Sequence, residues 1–481
     1  MNEHSIERLR ARIAGDFVVP GDSDWDEARR AWNLAVEQRP AAVALPESAE
    51  DVVEIVRFAR RHGLRVAPQG TGHNAGALAI DGDILLKTER MRMVSVDPAA
   101  RTARVDAGVL WAEVTEAAAP HGLAGLSGSS PDVGVVGYSL GGGISWLGRR
   151  YGLSASSVTA VELVTADGRL IRVDADHEPD LFWALRGGGG SFGVVTALEL
   201  RLYPVTEVYA GILFFPLERG AEVLNAWREW AETVPDEVTS LGRFLQFPRI
   251  PEIPEPLRGK SFVVVEATFL MDWYAASTIL EPLRALNPTM DTFATMPITE
   301  LKHLHMDPDH PVPGYGDGML LREFDAEAID AMVTVAGVNS RSPLFSVEIR
   351  HLGGALAEAR PDGGALAKLD AGFAMFAVGM TPTPESRTAV ELHVNAVKAA
   401  LARWDAGRTY LNFAETRSPG ASIWGAETYE RLRRVKAKWD ANDVLRSNHP
   451  VAPADRRRAR VATRVRPARV SGPSRIARRL P

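Results

Sequence analysis

Three glycine-rich clusters in the first 200 residues constrain the fold of this chain more than any other feature. They cover residues 68–76, 125–143 and 181–196. The second cluster has seven glycines in nineteen residues and almost no charge, a composition that an ordinary helix or strand does not have. Glycine frees the backbone to turn and lets bare N–H groups approach a ligand closely. The clusters therefore predict loops that wrap a large, flat or phosphorylated ligand.

Two common nucleotide-binding motifs are missing from these clusters. A P-loop ends in Gly-Lys-Ser or Gly-Lys-Thr, and none of the three clusters does. The glycine spacing of residues 68–76 also differs from the dinucleotide-binding fingerprint, and no clear helix begins at its end. Chemistry on nucleoside triphosphates is therefore not expected.

The composition is that of a globular protein with a sizeable core, since 46% of the 481 residues are hydrophobic and 24% are charged. No apolar run approaches the ~20 residues that a membrane-spanning helix needs. The chain has no cysteine, which excludes disulfides, thiolate metal sites, iron–sulfur clusters and cysteine nucleophiles. We predict a cytoplasmic location and no membrane span.

Charge is distributed unevenly along the chain. Residues 452–481 contain ten arginines and one acidic residue, Asp455, and so have a charge of +9. Because the net charge of the chain is −6, the remaining residues have a charge of −15. An acidic body argues against nucleic-acid binding. The basic segment has no apolar periodicity and is interrupted by Pro453, Pro467 and Pro473, and we predict that it is disordered. The alternative is a basic anchor for RNA, anionic lipid or an acidic partner.

Residues 41–67 have the pattern of a strand, a helix and a second strand. The helix has apolar residues at helical spacing, Ser48 and Asp51 at capping-box spacing, and Gly63 at its end. This unit predicts parallel βαβ structure. Further strands are predicted at four places, namely residues 84–87, 103–107, 158–165 and 194–202.

The pattern changes after residue 205. Long apolar strands alternate with helical stretches, which predicts a second α+β region with an antiparallel sheet. The predicted strands are residues 210–216, 261–269, 344–351 and 371–380, and a helix is predicted over 387–404. From residue 410 onward the composition resembles the first region again.

His73 lies inside the first glycine cluster. From the residues alone it is either a surface or turn histidine or a residue that contacts a ligand. No second histidine, aspartate or glutamate stands near it at the spacing of helical metal ligands. No metal site is predicted.

Taken together, the three clusters, the segment 182–196 and the closing Asn-His-Pro-Val at 448–451 resemble the vanillyl-alcohol-oxidase or PCMH-type FAD-binding fold, and within it the berberine-bridge-enzyme-like oxidases. The resemblance covers residues 39–204 and 410–451. It implies an α+β fold with a two-part FAD-binding domain at 1–205 (core 39–204) and 409–451. An inserted α+β substrate domain with an antiparallel sheet is implied at 206–408.

The resemblance also implies which residues hold FAD. In proteins of this family, the loop that matches the first glycine cluster cradles the FAD pyrophosphate. The histidine of that loop, here His73, bonds covalently to the flavin 8α-methyl carbon. Ser130 stands where many relatives have a second, cysteine link, so a single histidyl link is implied. Val133 matches the position at which enzymes of this family control oxygen access to the flavin. A small residue there is typical of the oxygen-reactive members. The remaining implied FAD contacts are Gly70, Thr71, Gly72, Asn74, Gly134, Gly137, Gly142, Val195, Asn412 and Asn448.

Tyr410 matches a tyrosine that a strand brings to the active-site face of the flavin ring. Since its reference pKa is ~10, it acts as a base only if neighbours lower that value, and an aromatic residue packed in the core is the alternative. Glu348 and His351, on a predicted strand, either face the substrate or lie on a solvated strand face. Tyr429, Arg431, Leu432 and Lys436 are interpreted as a packing face of a helix.

An FAD-dependent oxidase is the function that the resemblance implies. Substrate binds between the antiparallel sheet of the substrate domain and the flavin, an alcohol or amine proton leaves, a hydride passes to flavin N5, and oxygen then yields hydrogen peroxide. Sugars, phenolics, alkaloid-like amines and secondary-metabolite alcohols are all open as substrates. Two alternatives are a dehydrogenase with a non-oxygen acceptor and a flavin-binding protein with little turnover. The oligomeric state is not predicted.

Overall fold

The computed structural model describes residues 1–78, 80–251 and 253–455. Of the basic segment predicted to be disordered, residues 456–481 lie outside the described residues. The described chain forms three β-sheets with helices packed around them. No helix in this part of the chain is long and apolar enough to cross a lipid bilayer.

The first sheet contains the predicted βαβ unit. Its strands lie in the order β1-β2-β4-β3, with β2, β4 and β3 parallel and β1 antiparallel to β2. The elements are β1 (Asp16–Val18), β2 (Ala42–Leu45), β3 (Val66–Gln69), β4 (Ile84–Lys87), α1 (Glu3–Arg10), α2 (Trp25–Ala28) and α3 (Ala49–Arg61). Because β4 lies between β2 and β3, the crossover through α3 skips one strand position.

The cap of α3 differs in part from the predicted capping box. The Ser48 side chain accepts a hydrogen bond from the Asp51 N–H at 3.1 Å. The Asp51 carboxylate does not return to Ser48 but accepts from the N–H groups of Ala14, Gly15 and Glu47. Asp51 is therefore a buried acceptor that joins the start of α3 to β1.

The second sheet is antiparallel, with its strands in the order β5-β6-β9-β7-β8. Its elements are β5 (Val94–Asp97), β6 (Thr102–Asp106), β7 (Val158–Val164), β8 (Leu170–Asp174), β9 (Val194–Arg201), α4 (Trp111–Ala118), α5 (Val135–Leu140), α6 (Gly148–Tyr151) and α7 (Pro179–Leu185). The third glycine cluster joins α7 to β9. The second cluster contains α5, so the prediction that it forms no helix was wrong. Burial of Val135 and Leu140 offsets the ~1 kcal/mol that one internal glycine costs.

The third sheet confirms the predicted antiparallel region. Seven of its eight strands follow the order β13-β10-β12-β11-β16-β17-β15, and β14 pairs with β10. Its elements are β10 (Glu207–Pro216), β11 (Val238–Gln246), β12 (Ser261–Phe269), β13 (Met290–Asp291), β14 (Ala294–Pro297), β15 (Gly314–Leu321), β16 (Ser346–His351), β17 (Phe373–Met380), α8 (Gly220–Ala231), α9 (Trp273–Arg284), α10 (Ala326–Ala336) and α11 (Pro384–Ala400).

Helices α8–α11 cover one face of this sheet and form its largest hydrophobic core, around Trp227 and Val347. Strand residues alternate between faces, so Arg243, Glu348 and Arg350 lie on the opposite face. That face points toward the first two sheets, and the register places Arg243 directly opposite Glu348.

The end of the chain returns to the first two sheets. Helices α12 (Gly420–Trp424) and α13 (Ala426–Trp439) follow the third sheet, and Leu432 packs into the core of the second sheet. Beyond α13, Val66 exchanges backbone hydrogen bonds of 2.9 and 2.8 Å with Val444 and Arg446. The domain limits at 205/206 and 408/409 stay predictions, and they fall in loops between described elements.

Candidate functional site

A cavity of about 430 Å³ lies where the glycine clusters, the third sheet and the C-terminal segment meet. It gathers most of the predicted site residues, which come from distant parts of the chain. Those that line it are Gly70, Thr71, Gly72, His73, Asn74, Ser130, Val133, Gly134, Gly137, Val195, Glu348, Tyr410, Asn412 and Asn448.

Two predicted residues lie outside this lining. Gly142 packs behind Tyr410, because a Cβ added there would lie 3.1 Å from the tyrosine ring. His351 lies on the opposite face of β16 from Glu348, and its Nε2 is 3.0 Å from Arg149 Nη1. Burial, with help from Arg149, lowers the pKa of His351 to about 3. The structure therefore gives His351 a neutral, structural position and not one facing the cavity.

The cavity wall fits a large ligand that carries polar groups. A Cβ added at Gly70 or Gly137 would meet no protein atom within 4 Å, so the bare backbone there borders open space. Buried polar atoms of Gln69 and Tyr138, which line the same cavity, have no hydrogen-bond partner among the described residues. Since buried polar groups are normally paired, these atoms fit a bound dinucleotide such as FAD.

His73 is held by three side chains. Its Nδ1 lies 2.6 Å from Thr71 Oγ1, and its Nε2 lies 3.3 Å from Asp132 Oδ1. Trp32 stacks on the imidazole with ring centroids 3.9 Å apart and an interplanar angle of 18°. Trp32 Nε1 also donates to Asp132 Oδ2 at 2.5 Å. The imidazole therefore has a fixed orientation at the cavity wall.

Ser130 links the second glycine cluster to the third sheet. Its hydroxyl donates to Asp307, and the neighbouring Ser129 hydroxyl accepts from Arg350 Nη2 at 3.2 Å. The serine at the cysteine position is thus engaged in protein contacts. These contacts tie the cofactor side of the cavity to its opposite wall.

A buried chain of charges forms that opposite wall. Arg243 Nε lies 2.5 Å from Glu266 Oε1, and His305 Nδ1 lies 2.7 Å from Glu266 Oε2. His305 Nε2 then lies 2.9 Å from Glu348 Oε2, and Arg350 Nε donates to Glu348 Oε1 at 2.7 Å. Each of these side chains is therefore held by at least one partner of opposite charge.

The protonation states of this chain follow from its contacts. Burial and Arg243 oppose a charged His305, but the carboxylates of Glu266, Asp307 and Glu348 outweigh them and raise its pKa to about 9. Burial opposes the charged form of Glu348 as well, yet Arg350 and His305 hold its pKa well below the usual range. At neutral pH the cavity therefore presents an ionised Glu348 beside a cationic His305.

Tyr410 precedes a 3-10 turn, Leu411–Phe413, where a strand was predicted. Its hydroxyl oxygen accepts from the Gly143 N–H at 2.9 Å and from Asn412 Nδ2 at 3.3 Å. Burial raises the pKa of the phenol although these donors oppose the shift. The phenol is therefore protonated and able to donate its own hydrogen bond. Short turns of this kind have no periodicity that a sequence pattern could detect.

Glu415 is a further carboxyl at the cavity. Its Oε2 accepts from the Gly316 N–H at 3.0 Å. Burial raises the pKa of Glu415 to about 8, opposed by that N–H and reinforced by Asp317. This side chain is mainly neutral at pH 7.

Several residues of the site carry no local sequence signal. They are Trp32, Asp132, Arg243, Glu266, His305, Arg350 and Glu415. Only the alternation of charged and apolar residues on β11 and β16 could have indicated the buried charges. Within the described residues no cluster of three or more histidine, cysteine, aspartate or glutamate side chains is arranged to hold a metal ion.

Comparisons with known proteins define the class to which this fold and cavity belong. Residues 40–174 match a family model described as an FAD binding domain, and residues 409–452 match one described as berberine and berberine like. The structure of Physcomitrella patens BBE-like 1 superposes with a TM-score of 0.81 at 21% identity, over 94% of this chain and 99% of that one. The predicted PCMH-type FAD-binding fold is thus confirmed.

Sequence relatives agree with this class. (R)-6-hydroxynicotine oxidase of Paenarthrobacter nicotinovorans is 29% identical over 92% of this chain and 97% of its own length. Glucooligosaccharide oxidase of Sarocladium strictum is 32% identical over 49% of each chain. This chain is therefore similar to the berberine-bridge-enzyme-like FAD-linked oxidoreductases, and it is an enzyme.

Proposed function

We propose that this enzyme is an oxidase that takes a hydride from an alcohol or amine carbon of a small molecule and passes the electrons to oxygen, giving hydrogen peroxide. We also propose that His73 binds the FAD covalently. The observation that supports this most is the single cavity, which joins the glycine cradle around His73 to the buried charges of the third sheet. One wall fits the cofactor and the other fits a polar substrate.

The residues would share the work in the following way. FAD, when bound, supplies the redox chemistry as the hydride acceptor. Bare backbone at Gly70, in the first glycine cluster, and at Gly137, in α5, would bind the cofactor, and Asn412 and Asn448 would border it. On the substrate side, ionised Glu348 accepts a hydrogen bond from the substrate O–H or N–H. Protonated Tyr410 donates one to the reacting oxygen or nitrogen, and this role is one of positioning.

Charge balance on the substrate wall favours a neutral, hydroxylated substrate. Three cations, Arg243, His305 and Arg350, face three anions, Glu266, Asp307 and Glu348. A charged ligand entering this balanced set would itself be desolvated without a free counter-ion. The named relatives oxidise a hydroxynicotine and an oligosaccharide, and both compounds carry hydroxyl groups.

Oxygen access separates the oxidase from the dehydrogenase alternative. Val133 lines the cavity, and its small side chain supports oxygen reaching the cofactor. The test is anaerobic reduction of the flavin by a substrate, followed by admission of air. Reoxidation in seconds with stoichiometric peroxide supports the oxidase, whereas reoxidation over minutes would favour a dehydrogenase.

Acid precipitation tests the covalent link. A yellow pellet from the wild type and a colourless pellet from His73→Ala are expected. Yellow colour only in the wild-type supernatant would keep the fold and reject the link. A protein that cannot be loaded with FAD would reject the proposed function.

A further inference from the structure

Asp132 occupies an unusual place beside His73. One of its carboxylate oxygens is fixed by the indole N–H of Trp32 at 2.5 Å, and the other lies 3.3 Å from His73 Nε2. The side chains of His73 and Asp132 are only 21% and 18% exposed. In the described part of the chain no lysine or arginine pairs with this carboxylate.

The two atoms that face each other are not engaged by other described residues. His73 Nε2 and Asp132 Oδ1 are both buried, and neither has a hydrogen-bond partner among the described residues. A buried carboxylate oxygen without a cation is costly unless a donor neutralises it. The imidazole N–H at Nε2 is the donor within reach.

This contact favours one tautomer of the histidine. A carboxylate facing Nε2 favours a proton on that nitrogen, which leaves the lone pair on Nδ1. Nδ1 lies 2.6 Å from the Thr71 hydroxyl, and Trp32 restricts rotation of the ring by stacking on it. The backbone N–H of Trp32 donates to the Thr71 carbonyl at 3.0 Å, which fixes the stack to the same loop.

We propose that Asp132 is the positioning residue for covalent attachment of FAD, and that the nucleophilic atom of His73 is Nδ1. This inference rests on the proposed histidyl link. A bond forms between Nδ1 and the flavin 8α carbon, and one C–H bond of that methyl group breaks with release of its proton to solvent. The Nε2 proton passes to Asp132. The two electrons remain on the flavin, and dioxygen removes them as hydrogen peroxide.

The test separates FAD binding from attachment. Full-length wild type, Asp132→Asn and Asp132→Glu are produced with little flavin and mixed with FAD. Affinity is followed by tryptophan fluorescence, and the covalent fraction over time by acid precipitation and intact mass. Asp132→Asn should bind FAD with similar affinity but attach it about 100-fold more slowly, since general base assistance is of that order. Asp132→Glu should recover most of the rate.

Two further variants keep the result interpretable. Asp309→Asn is the matched control, because that carboxylate is 89% exposed, and it should attach FAD at the wild-type rate. Trp32→Phe keeps an aromatic ring on His73 but removes the N–H that fixes Asp132, so attachment should slow several-fold even if Asp132→Asn does not fold.

Each contrary outcome has a distinct meaning. Attachment by Asp132→Asn and Trp32→Phe at the wild-type rate, or a flavin bonded to Nε2 in the digested peptide, would overturn the role of Asp132. A wild type without covalent flavin, or a yellow pellet from His73→Ala, would instead reject the proposed link itself.

Discussion

Glu415 is the residue whose protonation should respond most visibly to pH. Its pKa is raised from 4.5 to about 8 in the folded chain. A raised folded pKa means that its contribution to stability is complete below pH 4.5 and is lost as the pH rises to 8. The free energy of unfolding should therefore fall by up to about 4 kcal/mol across this window on account of Glu415.

Urea unfolding at pH 5 and pH 8 measures this effect. Glu415→Gln keeps an acceptor for the Gly316 N–H but cannot ionise, so its stability should fall less between the two values. Glu427→Gln, at an exposed position, should show the wild-type pH dependence. Parallel curves for wild type and Glu415→Gln would mean that the carboxyl is not held neutral.

Glu348 is the residue on which substrate binding should depend. Glu348→Gln removes the anion between His305 and Arg350, so two cations would face each other without their counter-ion. We expect kcat/KM to fall about 100-fold or more while the flavin absorbance per mole of protein is unchanged. Exposed Glu358→Gln is the control. Unchanged kcat/KM in Glu348→Gln would show that substrate does not bind at this wall.

Residues in the glycine clusters could be predicted because their signal is local. His73 and its neighbouring glycines stand together in nine residues, and all but one of the predicted FAD contacts line the cavity. Trp32 and His305 could not be predicted in the same way, and neither could the role of Asp132, although it lies within the second cluster. Each belongs to the site only because the fold brings it next to a partner far away in the sequence, 100 residues for Trp32 and Asp132.

Helix α13 anchors the C-terminal segment through one buried cation. Lys436 Nζ is fully buried and donates to the Ser191 carbonyl at 2.9 Å, to Asp440 at 2.7 Å and to the Leu445 carbonyl at 3.1 Å. The sequence indicated only a packing face here. The ammonium in fact joins the four-glycine loop to the segment that closes the cavity.

Removing this cation should weaken the whole fold. Lys436→Met leaves Asp440 buried without its partner, and breaking such a pair costs about 3–5 kcal/mol. Lys438→Met, two residues along the same helix, removes a 59% exposed lysine paired with Glu178 and should cost less than about 1 kcal/mol. Urea unfolding of both variants measures the difference. Equal losses would contradict the anchoring role of Lys436.

Long elements of the third sheet were predictable because their apolar patterns are strong. The strand at residues 261–269 has the predicted bounds, Ser261–Phe269. Short elements were not. Helix α5 is six residues long and is stabilised by burial between the second sheet and the cavity, and such tertiary packing overrides the glycine content of its sequence.

At the scale of the whole molecule, the site depends on the return of the C-terminal segment to the first two sheets. The cavity requires the first two sheets, the third sheet and the returning segment together, and the described residues that line it lie between Trp32 and Asn448. The return of the C-terminal segment to the first two sheets was predicted from the family resemblance, and no single local sequence pattern predicts it. The covalent link and the cytoplasmic location stay predictions.

Removal of residues 456–481 should leave this closed structure intact. These residues include ten arginines and no acidic residue, so the shortened chain has a net charge of −16. Since the described residues that line the cavity come from elsewhere in the chain, the chain ending at Asp455 should keep its flavin content and its kcat/KM within about twofold. Its retention on a cation-exchange column at low salt should disappear, because ten arginines that stand close together in the sequence have been removed. Both chains are compared by absorbance, by turnover and by elution. Loss of flavin from the shortened chain would show instead that the basic segment stabilises the cofactor site.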